Sequence, residues 1–188
     1  MSDYFLIRHS SPTLAGIKSG SLFSCEYEDK EELLRDIRRL NRLLNPRGLR
    51  IIPMRYGEER ALIYIYRPRG LEKELAREDA LRILEQAGYE NPSPGRCVAT
   101  LISRIREGAQ FPHEIGLFLS YPPKDVEGFI LNEGRDAKLS GIWKVYGNEA
   151  YAKRTFDSYK RCTRNFCARN KAGSSLEELI VADSALRG

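Results

Sequence analysis

The sequence FPHEIGLFLSYPPKDVEGFI, residues 111–130, predicts a strand, a turn and a helix in succession. Residues 114–121 form a short apolar run that is rich in strand-forming side chains and has prolines on both sides. The proline pair that follows cannot continue a central strand, but proline is well tolerated at the first position of a helix. Apolar residues then recur at helical spacing as far as Ile130, which indicates the buried face of a short helix.

Polar residues lie at both ends of this predicted strand. His113 and Glu114 are at its start and Tyr121 is at its end. Because α/β proteins often place sites at the mouths of buried strands, we predict His113 and Glu114 as catalytic residues and Tyr121 as a ligand-binding residue. The pair does not begin a zinc-protease motif, since Leu117 replaces the second histidine. A metal site shared with His9 is an alternative, but a histidine at a strand entrance more often bonds the backbone, so we predict no metal.

The rest of the chain predicts one layered α/β domain spanning residues 1–188, with an α+β arrangement as the alternative. We expect a mixed sheet of about five strands flanked by helices. The predicted strands are residues 21–27, 49–56, 60–67, 114–121 and 140–146. The predicted helices are residues 29–44, 71–87 with a break near Arg77, 93–108, the one ending at Ile130, 149–170, and a short one capped by Ser175 and Glu178. A turn is predicted at residues 91–95.

Residues 49–56 and 60–67 predict a β-hairpin. The second segment alternates side chains between two faces that are both apolar, which is typical of a central strand covered on both sides. Pro53 cannot donate a backbone hydrogen bond, so the first segment is predicted to be an edge strand or a bulged one.

With 188 residues, the chain is long enough for one domain whose core needs neither disulfides nor a metal. No apolar run approaches the roughly 20 residues of a transmembrane helix, and the first residues are not typical of a signal peptide. The four cysteines show no zinc spacing or disulfide framework, which favours reduced thiols in a cytoplasmic protein. The net charge of +5 and the pI of about 9.0 are a weak indication of an anionic partner.

Residues 10–20 are dense in serine, threonine, proline and glycine and predict a loop with room for one helical turn. Hydroxyls, a glycine and a lysine near a strand can hold a phosphate through backbone N–H groups and the lysine charge. The ligand-binding candidates in this loop are Ser10, Ser11, Thr13, Gly16 and Lys18. The loop lacks the spacing of a Walker A motif, and a turn closed by local hydroxyl bonds is the alternative.

Two further cations complete a predicted pocket. Arg67, with Arg69 close behind it at the end of the predicted central strand, can pair with a carboxylate or a phosphate. Lys144 lies on the last predicted strand. We predict that the serine-rich loop, Arg67, His113 with Glu114, and Lys144 bind a small anionic ligand, such as a nucleotide or another phosphorylated or carboxylated metabolite. No cofactor follows from the sequence, and His113 is the proton-transfer group if the protein is an enzyme.

The predicted helix at residues 149–170 carries many basic and few acidic side chains. Such a face is usually only solvated, but it is also typical of helices that bind nucleic acid. The competing hypothesis is therefore a non-enzymatic binding module that contacts nucleic acid or an acidic protein partner. The residues that would make these contacts are Lys153, Arg154, Lys160, Arg161 and Arg164.

Three segments are distinctive: PTLAGIK at residues 12–18, the stretch at residues 111–130, and GIWKVYGNEA at residues 141–150. Together they resemble a domain-of-unknown-function family found mainly in anaerobic, often gut-dwelling bacteria. The resemblance covers nearly the whole chain and implies a single-domain cytoplasmic protein without an established activity, so no catalytic role carries over. It also implies that many relatives have cysteine at the position of Ser10, which argues against a thiol nucleophile there. The signature segments contain Thr13, Gly16, Lys18, His113, Glu114, Tyr121 and Lys144.

Overall fold

A computed structural model describes residues 1–90, 93–108 and 110–187 of the chain. It confirms the α/β class, since helices accompany two small antiparallel sheets. The chain divides into two compact units, the first made of Met1–Arg69 with Lys160–Gly188 and the second of Gly70–Tyr159. The first two residues of the turn predicted at 91–95 lie outside the described ranges.

A three-stranded antiparallel sheet forms the centre of the first unit. Its strands are β1 (Gly20–Glu26), β2 (Arg50–Tyr56) and β3 (Arg60–Tyr66), in the order β1-β3-β2. The central position of β3 confirms the prediction, and its side chains Ile63 and Ile65 are fully buried. The register of β2 against β3 shifts between Pro53 and Arg55, so the proline is accommodated at a bulge, as predicted.

The first helix, α1 (Asp3–Leu14), shows that the loop predicted at residues 10–20 was wrong over its first half. Serine, threonine and proline are weak helix formers, but burial of an apolar helix face against a core outweighs propensity. The fully buried apolar side chains of this face are Leu6, Ile7 and Leu14. Only residues 15–19 connect α1 to β1.

Two other helices of the first unit begin at residues whose side chains cap them. In α2 (Lys30–Leu44), the Asp29 carboxylate accepts a hydrogen bond from the backbone N–H of Glu31 at 2.9 Å. The short helix α9 (Leu176–Leu179) begins with the predicted capping box. The buried face of α2 consists of Leu33, Ile37, Leu40 and Leu44. Side chains from α1, α2 and α9 join those of the sheet in one core.

The second unit is mostly helical. Its elements are the end of α3 (Pro68–Leu75), α4 (Glu78–Gln86), α5 (Pro94–Glu107), α6 (Ile115–Phe118), α7 (Pro123–Leu131), β4 (Leu139–Ser140), β5 (Lys144–Val145) and the start of α8 (Glu149–Lys171). The break predicted near Arg77 is confirmed, because this residue is extended and separates α3 from α4. The five strands of the described residues lie in two antiparallel sheets and not in one mixed sheet.

The strand predicted at residues 114–121 was wrong, because this segment contains the single helical turn α6. A short apolar run does not distinguish a buried strand from a buried helical turn, so packing decided the outcome. A Cβ added to Gly116 would lie 2.7 Å from Val126 Cγ2, which shows how closely α6 packs on α7. Ser120 then adopts a φ of 58° and turns the chain into α7, whose predicted start at the proline pair is confirmed.

The strand predicted at residues 140–146 is instead a tight hairpin, in which β4 pairs with β5. Asp125 of α7 is buried and holds this hairpin through three hydrogen bonds. Its carboxylate accepts from Trp143 Nε1 at 2.7 Å, from the Tyr146 backbone N–H at 2.8 Å and from the Gly147 backbone N–H at 2.7 Å. The hairpin therefore depends on one carboxylate more than on its own short ladder.

The long helix α8 confirms the prediction for residues 149–170. Its apolar face is formed by Ala152, Phe156, Tyr159 and Phe166, which are all buried. The division of the chain into two units falls within this helix. No helix among the described residues is long and apolar enough to cross a membrane.

Candidate functional site

The predicted site residues are divided between the two units. Ser10, Ser11, Thr13, Gly16, Lys18 and Arg67 belong to the first unit, and His113, Glu114, Tyr121 and Lys144 belong to the second. Each unit contains clefts that are lined by residues of that unit.

The hydroxyl groups of the predicted loop are buried in α1 and are bonded within the protein. Ser10 Oγ and Ser11 Oγ each donate to the carbonyl oxygen four residues earlier, at 2.5 Å. Thr13 Oγ1 lies 2.8 Å from Ser21 Oγ and shares a hydrogen bond with it. Gly16 and Lys18 lie in the connection that follows α1. The three hydroxyls therefore stabilise the packing of α1 and face no solvent.

Arg67 is buried, and its guanidinium donates to four acceptors of the first unit. Nε donates to the carbonyl oxygen of Thr13 at 2.7 Å, and Nη2 donates to those of Leu14 at 2.8 Å and Val181 at 2.7 Å. Nη1 donates to the Asp183 carboxylate at 2.6 Å. Burial lowers the pKa of Arg67, and the bond to Asp183 opposes that shift. A guanidinium has about five N–H groups. Those of Arg67 bond the end of α1 and the C-terminal segment, so this side chain mainly joins these two parts of the first unit.

A cleft of about 350 Å³, which we call the arginine cleft, is lined by residues 45–50, 68–69 and 182–184. Arg47 in its wall is already bonded, since it donates to the Leu43 carbonyl oxygen at 3.1 Å and pairs with Glu177. Arg50 and Arg69 also line the cleft and are exposed to solvent. Neither has a carboxylate within 4.0 Å among the described residues. The cleft therefore presents two uncompensated positive charges.

The hairpin register explains why these arginines line one cleft. Arg50 begins β2 and is paired with Tyr66, the last residue of β3, so it lies opposite the point where the chain enters α3. Arg69 follows three residues after Tyr66. Gly48 has a φ of 83°, and a Cβ there would lie 2.3 Å from Asp183 Oδ2. Only glycine lets the C-terminal segment approach this side of the cleft.

In the second unit, His113 and Glu114 line a cleft of about 370 Å³, the His113 cleft, together with residues of α4, α5 and α7. His113 is exposed. Glu114 is buried, accepts a hydrogen bond from the Tyr89 hydroxyl at 3.1 Å and pairs with Arg104 Nε at 2.8 Å. Burial, and then the neighbouring Glu114 carboxylate, raise the pKa of Tyr89. The predicted catalytic pair is thus brought to one cleft, with Glu114 neutralised by Arg104.

Tyr121 and Lys144 do not line the His113 cleft. Tyr121 lines a separate cleft of about 330 Å³ and stacks on Trp143, with ring centroids 4.9 Å apart. Burial raises the pKa of Tyr121. Lys144 Nζ donates to the Gly134 carbonyl oxygen at 2.5 Å. No group of three or more His, Cys, Asp or Glu side chains among the described residues is arranged to hold a metal ion.

The five basic residues predicted on α8 are all exposed: Lys153, Arg154, Lys160, Arg161 and Arg164. Lys153 Nζ lies 3.5 Å from a carboxylate oxygen of Glu149, one turn earlier. The other four have no carboxylate within 4.0 Å among the described residues. This helix face is therefore a strip of solvated positive charge.

The main residues that sequence reasoning missed are Arg50 and Arg104. The signal for Arg50 was present, because a hairpin closed near residues 57–59 already sets the start of β2 opposite the end of β3. The sequence contained no such signal for Arg104, which reaches Glu114 from α5. Its role depends on how two helices pack in space.

Comparison with protein families finds a match. A family model described as a protein of unknown function (DUF3793) matches residues 6–180. No curated protein and no solved structure matches the chain.

Proposed function

The chain belongs to the DUF3793 family of proteins of unknown function, and we propose that it binds a small anionic metabolite, phosphorylated or carboxylated, in the arginine cleft. The observation that carries this proposal is the pair of exposed arginines, Arg50 and Arg69, in one cleft without carboxylate partners among the described residues. Guanidinium groups bind carboxylates and phosphates through two parallel hydrogen bonds.

The charges of the cleft suit a ligand with two negative charges. Arg47 and Arg67 are compensated by Glu177 and Asp183. Arg50 and Arg69 are left to pair with the ligand, which favours a phosphate monoester or a dicarboxylate over a monocarboxylate. The volume of about 350 Å³ is within the range of small-molecule sites, about 300–1,000 Å³.

In this proposal Arg67 does not bind the ligand itself, although the sequence predicted that it would. Arg67 stabilises one wall of the cleft, because it bonds Asp183 and the backbone of the C-terminal segment. Arg69 supplies the charge that was predicted for Arg67. The proposal is binding without an assigned reaction, and His113, in the second unit, stays the proton-transfer candidate for any chemistry.

Isothermal titration calorimetry with inorganic pyrophosphate and with malonate tests the proposal. Replacement of Arg50 or Arg69 by alanine should lower the affinity for the better probe by at least about tenfold, the loss expected for one well-formed charged hydrogen-bond pair. Arg55→Ala is the matched control, since Arg55 is exposed on the same strand outside the cleft. Lys18→Ala should leave the affinity unchanged. If the pocket predicted from the sequence were the binding site, the same substitution would abolish binding. Equal losses for Arg55 and Arg50 would reduce the effect to general electrostatics and refute the site.

The basic face of α8 favours a second candidate function, binding of nucleic acid. Lys160, Arg161 and Arg164 lie on consecutive turns, are exposed and have no carboxylate within 4.0 Å among the described residues. Phosphate contacts by such side chains give an affinity that falls steeply with salt. An acidic protein partner is the alternative for the same face.

Fluorescence anisotropy with a single-stranded and a duplex oligonucleotide, over a series of salt concentrations, tests this candidate. The double substitution Arg161→Gln with Arg164→Gln should reduce the slope of log affinity against log salt concentration by the amount expected for the loss of about two phosphate contacts. The control is Arg38→Gln with Arg42→Gln, which removes two exposed charges from α2. Binding that is unaffected by the α8 pair would exclude this face, and binding only to an acidic polypeptide would assign it to a protein.

The resemblance to a family of anaerobic, often gut-dwelling bacteria supports a bacterial origin and a cytoplasmic location as parts of the same proposal. The free state of Cys25, Cys97, Cys162 and Cys167 agrees with a reducing compartment. Fractionation of the source cells, with thiol labelling of the native protein, tests the location, and recovery outside the cytoplasm would contradict it.

A further inference from the structure

We propose that the His113 cleft binds a lipophilic primary amine, with its ammonium group on Glu114 and Glu127 and its hydrocarbon on Phe111, Ile130 and Leu131. The site lies wholly within the second unit and shares no residue with the arginine cleft. It therefore goes beyond the proposed function, and either site can fail its test without the other.

The apolar part of the site is made of large side chains that the fold leaves in water. Phe111 is 42% exposed, Ile130 is 40% exposed and Leu131 is 75% exposed. All three line the cleft, although Phe111 precedes α6 and the other two end α7. A hydrocarbon chain that covers them would remove apolar surface from water on both partners.

The lining of the cleft includes a carboxylate, Glu114, with one oxygen free to accept a hydrogen bond. The Glu114 side chain is only 5% exposed; its Oε1 atom accepts a hydrogen bond from the Tyr89 hydroxyl and forms an ion pair with Arg104 Nε, 2.8 Å away. Its Oε2 atom accepts no hydrogen bond from any described residue. A carboxylate oxygen that is free to accept can form a charge-assisted hydrogen bond with an ammonium N–H group, and such bonds are stronger than those between neutral groups.

The second acceptor is Glu127, which precedes Ile130 and Leu131 by three and four residues and so shares their face of α7. It is half-buried and lines the cleft. No cation lies within 4.0 Å of its carboxylate among the described residues. Since Arg104 is compensated by Glu114, the charge that remains in the cleft is negative. This charge selects an ammonium group over a carboxylate, and the roughly three donors of an ammonium suit two acceptors.

A matched series of six-carbon probes tests the chemistry: hexylamine, 1-hexanol and hexanoate, titrated into the labelled protein and followed by ¹H–¹⁵N NMR at neutral pH. Hexylamine should shift the amides of residues 83–87, 110–111, 113–114 and 127–131 and bind at least about tenfold more tightly than 1-hexanol. Hexanoate should bind most weakly. Lengthening the amine should raise the affinity by up to roughly threefold to fourfold per methylene. Equal affinity for amine and alcohol, or tighter binding of hexanoate, would overturn the proposal.

Two substitutions of equal charge change separate the site from a general field effect. Glu127→Gln should abolish the preference for amine over alcohol, and Glu85→Gln, at an exposed position of α4 outside the cleft, should preserve it. Leu131→Ser, at a side chain exposed enough to leave folding intact, should weaken the amine and the alcohol alike. Identical results for the two glutamate variants, or no effect of Leu131→Ser, would refute the assignment of these residues.

Discussion

Arg67 Nη1 lies 2.6 Å from Asp183 Oδ1, and this ion pair joins the end of the central strand to a segment 116 residues further along the chain. The Arg67 side chain is 3% exposed and that of Asp183 is 16% exposed. Three backbone carbonyl groups accept from the same guanidinium. One side chain thus fixes three separate segments of the first unit, and the arginine cleft is built on this arrangement.

Replacement of Arg67 by alanine should therefore destabilise the first unit. The variant leaves the Asp183 carboxylate and three carbonyl groups without their donor, and removal of one partner from a buried pair typically costs about 3–5 kcal/mol. Native-state hydrogen exchange of the β3 amides measures the change within this unit. Arg69→Ala is the control, with an expected change within about 0.5 kcal/mol, because Arg69 is exposed. A loss of stability below about 1 kcal/mol for Arg67→Ala would show that the hydrogen bonds of Arg67 contribute little to the first unit.

Replacement of Asp125 by alanine should release the β4–β5 hairpin of the second unit. Three donors, including the indole N–H of Trp143, lose their acceptor, and hydrogen bonds to a charged group contribute about 1.5–3 kcal/mol each. Trp143 is the only tryptophan of the chain, so its fluorescence reports this site directly. We expect emission at longer wavelength and unfolding at lower urea concentration. Asp157→Ala, at an exposed position of α8, should change neither, and an unshifted emission for Asp125→Ala would contradict this role.

Replacement of Gly128 by alanine in α7 sets helix propensity against packing. Alanine is favoured over glycine within a helix by about 1 kcal/mol. A Cβ at Gly128, however, would lie 2.5 Å from both Cβ and Cγ of Tyr146, atoms near the root of that side chain. Overpacking typically costs about 1–3 kcal/mol, so we expect a net loss of stability.

The control for Gly128 is Gly95 in α5, where an added Cβ would meet no described atom within 4 Å. Gly95→Ala should be neutral or stabilising, by up to about 1 kcal/mol. Urea denaturation of both variants compares them. Stabilisation by Gly128→Ala would mean that Tyr146 moves aside without cost.

His9 should titrate below its ordinary pKa of 6.5, because burial first and the neighbouring Arg8 second lower its pKa. Its ring lies 4.4 Å from that of Phe5 and 5.6 Å from that of Phe23, between centroids. As the pH falls below 6.5, the unfolded chain binds the proton before the folded one does. The contribution of neutral His9 to stability is therefore present above pH 6.5 and is lost as the pH falls towards the folded-state pKa.

Proton NMR titration of the His9 ring measures this shift, and His113→Gln identifies which of the two histidine signals belongs to His9. Arg8→Gln should move the midpoint upwards, because it removes the second cause of the shift. A midpoint at or above 6.5 in the unaltered protein would contradict the expected direction.

Local patterns in the sequence predicted much of the fold. The helix at residues 29–44, the central position of the strand at residues 60–67, the bulge at Pro53 and the helix at residues 149–170 are all confirmed. Each of these features depends on residues within a few positions of one another. Periodicity and capping signals depend on interactions over that same short range, which is why the sequence alone determined these elements.

Two segments were assigned wrongly because neighbours in space outweighed local preference. The serines and the threonine at the end of α1 read as a loop, but burial of Leu6, Ile7 and Leu14 makes the segment helical. Residues 114–121 read as a strand, but close packing at Gly116 favours a single helical turn. An apolar run of this length fits either structure until its packing partner is known.

The candidate sites, like the fold, were predicted from the sequence only in part. The sequence by itself determined that Arg67, His113 and Glu114 stand out chemically, and it placed Arg69 at the end of the central strand. Only the tertiary structure decided that the charge of Arg67 is paired with Asp183, whereas Arg50 and Arg69 are left exposed. It also decided that Arg104 pairs with Glu114 and neutralises its charge. The reason is physical: whether a charge is available to a ligand depends on which partner the fold brings to it, and those partners are distant in sequence.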